Sequence, residues 1–314
     1  MLERYYSHGK LLLTGEYVVL DGAKALALPT LFGQDLTIQK LKEPVLLWES
    51  YDHQGNCWLK ATFELPKLRI VSADFESEED DGKDTLAEKL WEILTVARQL
   101  NPDFLMEAQG VLVKTTLEFS KDWGLGSSST LINNVADWAQ VSPFELLENT
   151  FGGSGYDIAS AQNDTAIVYK RNGSDPIVET VDFNPTFQDN LFFVHLNVKQ
   201  NSRAGIRRYQ QYKEGALIQV FQEINAITKA MISVNKLDDF ERLLKEHEAI
   251  IGQVINNKPV QELLFSDYFG QTKSLGAWGG DFIIATGNEK TPAYFKNKGF
   301  ETVVSYKDMI LKNR

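Results

Sequence analysis

The first third of the chain alternates apolar and polar positions with the two-residue period of β-strands. Residues 57–63 and 111–117 each place apolar side chains at every second position, which predicts two half-buried strands. The apolar runs at 11–13 and 17–20 are separated by Thr14-Gly15, and both runs also predict strands. This part of the chain therefore predicts a sheet.

Helical periodicity begins after an acidic stretch at 74–84, which we interpret as a solvated loop. Residues 86–100 repeat apolar side chains at steps of three and four, and Thr85 and Glu88 form a capping-box pattern at the start. Another amphipathic helix is predicted after the glycine-rich turn at 124, and Ser142-Pro143 predicts the beginning of a short one.

The second half of the chain predicts longer helices and short closing strands. A strand is expected at 191–196, followed by two long helices at about 203–233 and 237–254. Residues 281–286 and 301–305 predict the last strands. No internal repeat or low-complexity linker is present, and Asn184-Pro185 marks the expected junction of two domains, at 1–187 and 188–314.

Composition narrows the class of protein. The 314 residues are 43% hydrophobic and 24% charged, which fits a globular chain with a substantial core. The net charge of −11 disfavours nucleic acid and anionic membranes as partners. A single cysteine, Cys57, excludes an internal disulfide and indicates a reducing compartment, so we expect a cytoplasmic protein. No apolar run has the length of a membrane span, residues 1–9 lack a signal-peptide core, and the four scattered histidines argue against a transition-metal centre.

The strongest chemical signal is the segment Gly124-Leu-Gly-Ser-Ser-Ser129, between a predicted strand and a predicted helix. Glycines allow close approach of the backbone to a phosphate, and free amides at a helix start bind anions. The sequence fits neither the Walker pattern nor GxGxxG, since no GxxxxGK[ST] exists and Ser129 stands at the third glycine position. The alternative is a serine-rich turn that only caps a helix.

A second glycine-rich turn, Gly152-Gly-Ser-Gly155, leads to Asp157 at the start of a predicted helix. A phosphoryl-transfer enzyme needs a group that orients or deprotonates the attacking oxygen, and Asp157 suits that role. The alternative is that Asp157 is only a helix N-cap.

Cationic residues and a third glycine-rich loop complete the candidates. Lys10 begins an apolar strand and would be a surface lysine in the absence of other signals. The loop Gly276–Asp281 precedes a predicted strand and is either a ligand-closing loop or a tight turn. Lys199, Arg203 and Arg207 are spaced by four residues, and with Arg208 they form either a phosphate-binding patch or a salt-bridged surface.

These signals, in this order, resemble the motifs of the GHMP kinase family. The segment Gly9-Lys10-x4-Gly15-Glu16-Tyr17 resembles the first motif of the family, and Gly124-Leu-Gly-Ser-Ser128 resembles the second. The third resembles Gly276-Ala-x-Gly-Gly-Asp281, and the aspartate loop resembles Ser154-Gly155-x-Asp157. The resemblance implies an α+β, two-lobed fold, with an N-terminal lobe like ribosomal protein S5 domain 2 and a ferredoxin-like C-terminal lobe.

The resemblance also implies roles for individual residues, with ATP and Mg²⁺ as the cofactors. Asp157 and Lys10 would be catalytic, and Ser128 with Glu148 would hold Mg²⁺. The nucleotide would bind to Gly124, Leu125, Gly126, Ser127, Ser128 and Ser129. The acceptor would contact Glu16, Tyr17, Ser154, Gly155, Lys199, Ser202, Arg203, Gly276, Ala277, Gly279, Gly280 and Asp281.

The implied reaction is ATP-dependent phosphorylation of a small alcohol or phosphate-bearing molecule by a monomer or homodimer. Glu16-Tyr17, the segment 121–128 and Lys199-x-x-Ser202 look like the phosphomevalonate kinase branch, and mevalonate or another alcohol is the alternative acceptor. Two departures affect the assignment: Ser129-Thr130 replaces a small apolar pair, and Trp278 replaces a glycine of the third motif. A bulky ring there would narrow the site, stack on a ligand or block it, so a non-catalytic binding protein on the same fold is a further alternative.

Overall fold

The computed structural model describes residues 2–75, 86–107, 109–173, 175–198, 202–212, 214–278 and 280–312. For 75, 202–204 and 214–216 only the backbone is described. The strands, β1 to β12 in chain order, are Glu3–Thr14, Ala25–Leu41, Val45–Tyr51, Cys57–Glu64, Arg69–Phe75, Gly110–Leu117, Ile167–Lys170, Ile177–Thr180, Leu191–His195, Thr272–Ser274, Phe282–Thr286 and Val303–Ser305. The α-helices, α1 to α10, are Leu86–Leu100, Ser127–Ala139, Pro143–Glu148, Tyr156–Ala161, Ser202–Gln210, Glu214–Ser233, Leu237–Val254, Val260–Leu264, Thr291–Asn297 and Tyr306–Met309.

The chain divides into two compact units. Unit 1 comprises Met1–Gly9, Phe32–Lys121 and Gly126–Gln162, and unit 2 comprises Lys10–Leu31, Asp122–Leu125 and Asn163–Arg314. Strands β1 and β2, which pair with each other, each continue from one unit into the other. The predicted domain boundary at 187/188 stays a prediction.

Unit 1 is a sheet covered by helices. Its strand order is β5-β4-β3-β6-β2, in which β3 and β6 are parallel and the other neighbours are antiparallel. Helices α1 to α4 pack together, and α1 also packs on β4 and β5. The strand periodicity explains the core, because Leu59, Ala61 and Phe63 of β4 lie in one buried cluster with Leu90 of α1 and Ile132 of α2.

Unit 2 contains an antiparallel sheet in the order β10-β11-β9-β12. In the same unit, the first residues of β2 pair with β7, which pairs with β8. Helices α6 and α7 pack together, and α7 also packs on β10. The α+β fold class is therefore as predicted.

Two sequence predictions are wrong at the level of elements. Residues 17–20 do not form a strand: Tyr17 has φ +63°, and Val18–Asp21 is a short 3₁₀ turn that ends at Gly22, with φ +95°. The long helix predicted at 203–233 is two helices, α5 and α6. Helix α5 ends because Tyr212 N–H donates to the Tyr209 carbonyl, a tighter turn than an α-helix, while both rings pack into the core.

No helix among the described residues is long and apolar enough to cross a membrane.

Candidate active site

The glycine-rich segment begins in unit 2 with Gly124 and Leu125 and continues into unit 1 from Gly126. Gly124 and Gly126 have φ +65° and +95°, values that L side chains rarely adopt, which explains the glycines. Gly126 is the N-cap of α2 and no side chain among the described residues caps this end. The first amides of α2 therefore keep the arrangement that binds anions.

The serines of this segment differ in their surroundings. Ser128 is exposed, whereas Ser129 is buried and its Oγ donates to the Gly126 carbonyl at 2.9 Å. Thr130 Oγ1 donates to Gln34 Oε1 at 2.6 Å. The hydroxyls of Ser129 and Thr130 thus hold the turn itself, and Ser128 keeps a hydroxyl at the surface.

A buried polar network in unit 1 anchors α2 below this turn. Ser7 Oγ donates to Asn134 Oδ1 at 2.8 Å, and Asn133 Nδ2 donates to Ser7 Oγ at 3.0 Å. Asn134 Nδ2 donates to the Gln34 carbonyl at 2.9 Å. Since buried polar groups need partners, this network fixes where α2 lies against β1 and β2.

Residues of three separate motifs meet at Gly124 in unit 2. Lys10 Nζ donates to the Gly124 carbonyl at 2.9 Å, and the Lys10 amide donates to the Leu125 carbonyl at 2.9 Å. A Cβ at Gly124 would lie 2.5 Å from Asp281 Cγ, so the Asp281 carboxyl group packs directly against this glycine. Lys10 is half-buried rather than a surface lysine.

The aspartate loop lies in unit 1. Gly152, Gly153 and Gly155 have positive φ angles, and Gly155 is the N-cap of α4. Asp157 is therefore in the first turn of α4 and not its N-cap, and its Oδ1 accepts from the Ile158 amide at 3.1 Å. Ser154 and Asp157 are half-buried. Helix α4 packs on α2, so unit 1 brings together the helices that begin at Ser127 and Tyr156.

Glu148 is the last residue of α3 and is exposed. Helix α3 packs on α2, the helix that carries Ser128. Among the described residues no group of three or more His, Cys, Asp or Glu side chains is arranged to hold a metal ion. A Mg²⁺ site needs only one or two carboxylates when phosphate oxygens and water complete its shell, so Ser128 and a carboxylate on α3 remain chemically suitable.

Glu16 is fully buried, and sequence reasoning missed its principal partner. Lys273 on β10, also fully buried, forms an ion pair with Glu16 Oε1 and donates to the Ser274 carbonyl at 2.7 Å. Burial raises the pKa of Glu16, and the Lys273 charge opposes this shift. In the sequence, Lys273 is a single lysine between Thr272 and Ser274, just before the third glycine-rich loop, and nothing in this pattern indicates its partner.

Two neighbours on α7 complete this buried cluster. Gly15 N–H donates to His247 Nε2 at 2.9 Å, so this nitrogen carries no proton, and the 3.4 Å approach of His247 to Glu16 is not an ion pair. Burial and the Lys273 charge hold the pKa of His247 well below its usual value. Glu248 accepts from the Val260 and Ser274 amides, and burial raises its pKa to about 7.

Tyr17 and Trp278 lie in a hydrophobic cluster of unit 2. The Trp278 ring is 6% exposed, and its backbone amide donates to the Tyr17 hydroxyl at 3.2 Å. Gly205 of α5 packs against the same hydroxyl, where a side chain would clash with it. The Trp278 ring is therefore a core group, which argues against its stacking on a ligand or blocking a site.

The remaining predicted contacts are placed as follows. Gly276 and Ala277 are half-buried, Gly280 is buried, and Gly279 lies outside the described residues. Lys199 also lies outside them, and Ser202 and Arg203 belong to α5 with only their backbone described. Arg207 and Arg208 of α5 are exposed. Lys10 lies in unit 2 and Asp157 in unit 1, and the catalytic role of each stays a prediction.

Comparison with solved structures identifies the fold. The Methanococcus jannaschii mevalonate kinase matches with a TM-score of 0.72 and 13% identity, over 100% of this chain and 99% of that one. The Streptococcus pneumoniae phosphomevalonate kinase, in complex with phosphomevalonate and AMPPNP, matches at 0.66 and 15%, over 98% of both chains. The Lactococcus lactis galactokinase, complexed with galactose, matches at 0.66 and 14%, over 99% of this chain and 94% of that one.

The chain therefore has the fold of the GHMP kinases, which confirms the resemblance seen in its motifs at the level of the fold. No protein-family model and no curated protein matches this sequence. At 13–15% identity these matches define the architecture and leave the substrate open.

Proposed function

We propose that this chain is an ATP-dependent small-molecule kinase whose acceptor is phosphomevalonate. The observation that carries the proposal is that residues of three motifs meet at Gly124. Lys10 Nζ donates a hydrogen bond to the Gly124 carbonyl, and the Asp281 carboxyl group packs against the Cα atom of Gly124. Residues more than 100 positions apart in sequence converge on the turn that begins the phosphate-loop segment. A helix-capping turn alone would not require this convergence.

The turn and α2 have the chemistry of a nucleotide phosphate site. In unit 1, the first amides of α2 have no side-chain cap among the described residues and offer hydrogen bonds to an anion. In unit 2, the Lys10 ammonium group offers positive charge beside Gly124, in a chain of net charge −11. Bound ATP supplies the phosphoryl group that is transferred. Ser128 and Glu148 would hold Mg²⁺, which neutralises charge on the phosphates.

Asp157 is the proposed catalytic carboxylate. It would orient the acceptor oxygen, or take its proton, as that oxygen bonds to phosphorus and ADP leaves. Lys10 would stabilise the charge that develops on the transferred group. The position of Asp157 in the first turn of α4, after three glycines with positive φ, supports a role beyond helix capping.

A phosphate-bearing acceptor is supported by α5. Its exposed Arg207 and Arg208 are cations in an acidic chain. Burial raises the pKa of the Tyr17 hydroxyl, and the Arg208 charge opposes this shift only in part. The phosphomevalonate complex of a protein with the same fold adds support. Lys199, Ser202 and Arg203 remain proposed acceptor contacts, whereas the burial of the Glu16 and Tyr17 side chains argues against direct contact of these two residues with the acceptor.

Mevalonate is the second candidate acceptor, because the M. jannaschii mevalonate kinase matches this chain with a TM-score of 0.72. The hypothesis of a non-catalytic binding protein depended on a Trp278 ring that obstructs the site. Because this ring lies in the hydrophobic core of unit 2, it does not support that hypothesis. A cytoplasmic location and a monomeric or dimeric state remain predictions.

The test is ADP formation from MgATP with phosphomevalonate, mevalonate, homoserine or galactose as the acceptor. We expect turnover with phosphomevalonate and a loss of at least about 100-fold in kcat for Asp157→Asn, in line with the usual contribution of an acid–base group. Asp189→Asn, at an exposed position, is the matched control and should keep full activity. Turnover with mevalonate alone would move the assignment to the second candidate, and full activity of Asp157→Asn would contradict the proposed mechanism.

A further inference from the structure

His195 is a buried residue of β9 that belongs to none of the four motifs. Its Nε2 lies 3.0 Å from the carbonyl oxygen of Asp122, two residues before Gly124. On the other side of the ring, the Asn197 amide donates to Nδ1 at 3.3 Å. Asn197 has φ +58°, and this turn directs its amide back to the ring.

These two contacts define the tautomer of His195. Because Nδ1 accepts a hydrogen bond, it holds a lone pair, and the proton of the neutral ring is on Nε2. Nε2–H therefore donates to the Asp122 carbonyl. This carbonyl group has a fixed partner in the core of unit 2, at the beginning of the phosphate-loop segment.

Ring contacts support the same anchoring. Phe282 of β11 is paired with His195 in the sheet register, and their ring centroids are 5.2 Å apart. The Phe282 ring also meets the Trp123 ring edge-on, with centroids 5.4 Å apart. Asp122 and Trp123 are thus both held against the strand pair β9–β11.

The end of β9 also fixes the residue on the opposite side of Gly124. Leu196 N–H donates to the Asp281 carbonyl, and Asp281 N–H donates to the Val198 carbonyl, both at 2.8 Å. Asp281 has φ +53°, and its carboxyl group packs against Gly124. The segment 195–198 therefore holds Gly124 through two routes, Asp122 before it and Asp281 beside it.

We propose that His195 is a positioning residue for nucleotide binding. Its Nε2–H fixes the Asp122 carbonyl so that the chain enters Gly124 in the conformation that the phosphate turn requires. This inference rests on the proposed function, and it assigns His195 to the nucleotide and not to the acceptor.

The test compares an amide pair at position 195. In His195→Asn the side-chain oxygen can accept from Asn197 but the amide cannot reach Asp122, whereas in His195→Gln the amide can reach the Nε2 position. We expect His195→Asn to bind MgATP about five- to tenfold more weakly by calorimetry, the usual effect of one lost hydrogen bond, and His195→Gln to lie within about twofold of wild type. The KM for phosphomevalonate should be unchanged in both variants.

His53→Asn, at an exposed position, is the control and should bind MgATP as wild type does. Equal MgATP affinity of wild type and His195→Asn would overturn the inference. So would a parallel rise in both KM values and a similar loss of thermal stability in the Asn and Gln variants, because this pattern indicates a purely structural role. If the wild-type protein itself fails to bind MgATP, the proposed function fails first and the inference with it.

Discussion

Gly124 is the residue on which the proposed phosphate site depends most. It combines a left-handed backbone with a contact that leaves no room for a Cβ, since this atom would lie 2.5 Å from Asp281 Cγ. A positive φ alone costs an L residue about 1 kcal/mol, and the neighbouring carboxyl group adds a steric penalty.

Comparison of alanine variants at Gly124 and Gly173 separates the cost of the left-handed backbone from the cost of the steric contact. We expect Gly124→Ala to weaken MgATP binding by at least about tenfold and to destabilise the protein by about 1–3 kcal/mol, measured by calorimetry and urea unfolding. Gly173→Ala is the matched control, because Gly173 has φ +57° and a Cβ at this position would have no atom within 4 Å. Normal MgATP affinity in Gly124→Ala would show that the phosphate turn lies elsewhere.

The ion pair of Glu16 and Lys273 is a second feature at the scale of single residues. Both side chains are buried, so removal of one leaves the other charged group without compensation. We expect Lys273→Met to reduce the free energy of unfolding by about 3–5 kcal/mol. The double variant Glu16→Gln/Lys273→Met should lose less than the sum of the two single variants.

Urea unfolding measures these losses, with Lys67→Met as the control. Lys67 pairs with Glu64 at an exposed position and should show no measurable change. Additive losses in the double variant would mean that the two buried groups do not interact.

At the scale of elements, α5 is the helix that connects the first motif with exposed cations. Gly205 packs on the Tyr17 hydroxyl, and the Tyr209 hydroxyl donates to Asp21. Two contacts from the segment 17–21 therefore fix α5 in unit 2, with Arg207 and Arg208 at its exposed surface.

This arrangement predicts that a substitution on the exposed surface of α5 changes the KM for the acceptor and not the KM for ATP. We expect Arg208→Gln to raise the KM for phosphomevalonate about 10- to 100-fold, since a charge-assisted hydrogen bond to phosphate contributes about 1.5–3 kcal/mol, and to leave the KM for ATP unchanged. Steady-state kinetics with each substrate varied in turn measure both constants. Arg242→Gln on α7 is the exposed control, and an unchanged phosphomevalonate KM in Arg208→Gln would remove α5 from the acceptor site.

Elements with clear periodicity were predictable, and those set by tertiary contacts were not. Residues 57–63 and 86–100 alternate or repeat as β4 and α1 require, and both elements are where the pattern predicts them. Val18 and Val19 of the turn at 18–21 are apolar because they are buried, and an apolar run of this length does not distinguish a buried turn from a strand. The break between α5 and α6 likewise depends on the core packing of Tyr209 and Tyr212.

In the candidate site, too, the residues set by local backbone geometry were predictable and those set by tertiary contacts were not. Glycine spacing identified the phosphate-loop segment and the aspartate loop, because backbone geometry there demands glycine. The partners Lys273 and His195 were not predictable, since each acts through a contact with a residue far away in sequence. A single lysine in the polar strand β10, or a single histidine at the end of the apolar strand β9, gives no indication of the residue that it will contact.

For the whole molecule, the buried cluster on α7 couples folding to pH in two opposite directions. His247 is held neutral, because its pKa in the folded state lies below the usual 6.5. Its contribution to the free energy of unfolding is therefore present above pH 6.5 and is lost as the pH falls. Glu248 has a folded-state pKa of about 7 against a usual 4.5, so its contribution is present below pH 4.5 and is lost as the pH rises through 7.

Variants of these two residues should therefore diverge with pH. Relative to wild type, the stability deficit of His247→Gln should shrink as the pH falls from 6.5, and that of Glu248→Gln should grow as the pH falls from 7 to 4.5. Each stability deficit should change by at most about 1.4 kcal/mol per pH unit, which is the value for the binding of one proton. Urea unfolding of the three proteins between pH 4.5 and 7.5 checks this, and deficits that are independent of pH would contradict the assigned protonation states.

The most direct test of the central claim is product analysis by ³¹P NMR of the protein with MgATP and phosphomevalonate. We predict a diphosphate product, with ADP formed in equal amount, and no such product from Asp157→Asn. A spectrum in which ATP and phosphomevalonate remain unchanged with wild-type protein, or in which ADP appears with free phosphate and an unmodified acceptor, would contradict the proposed function.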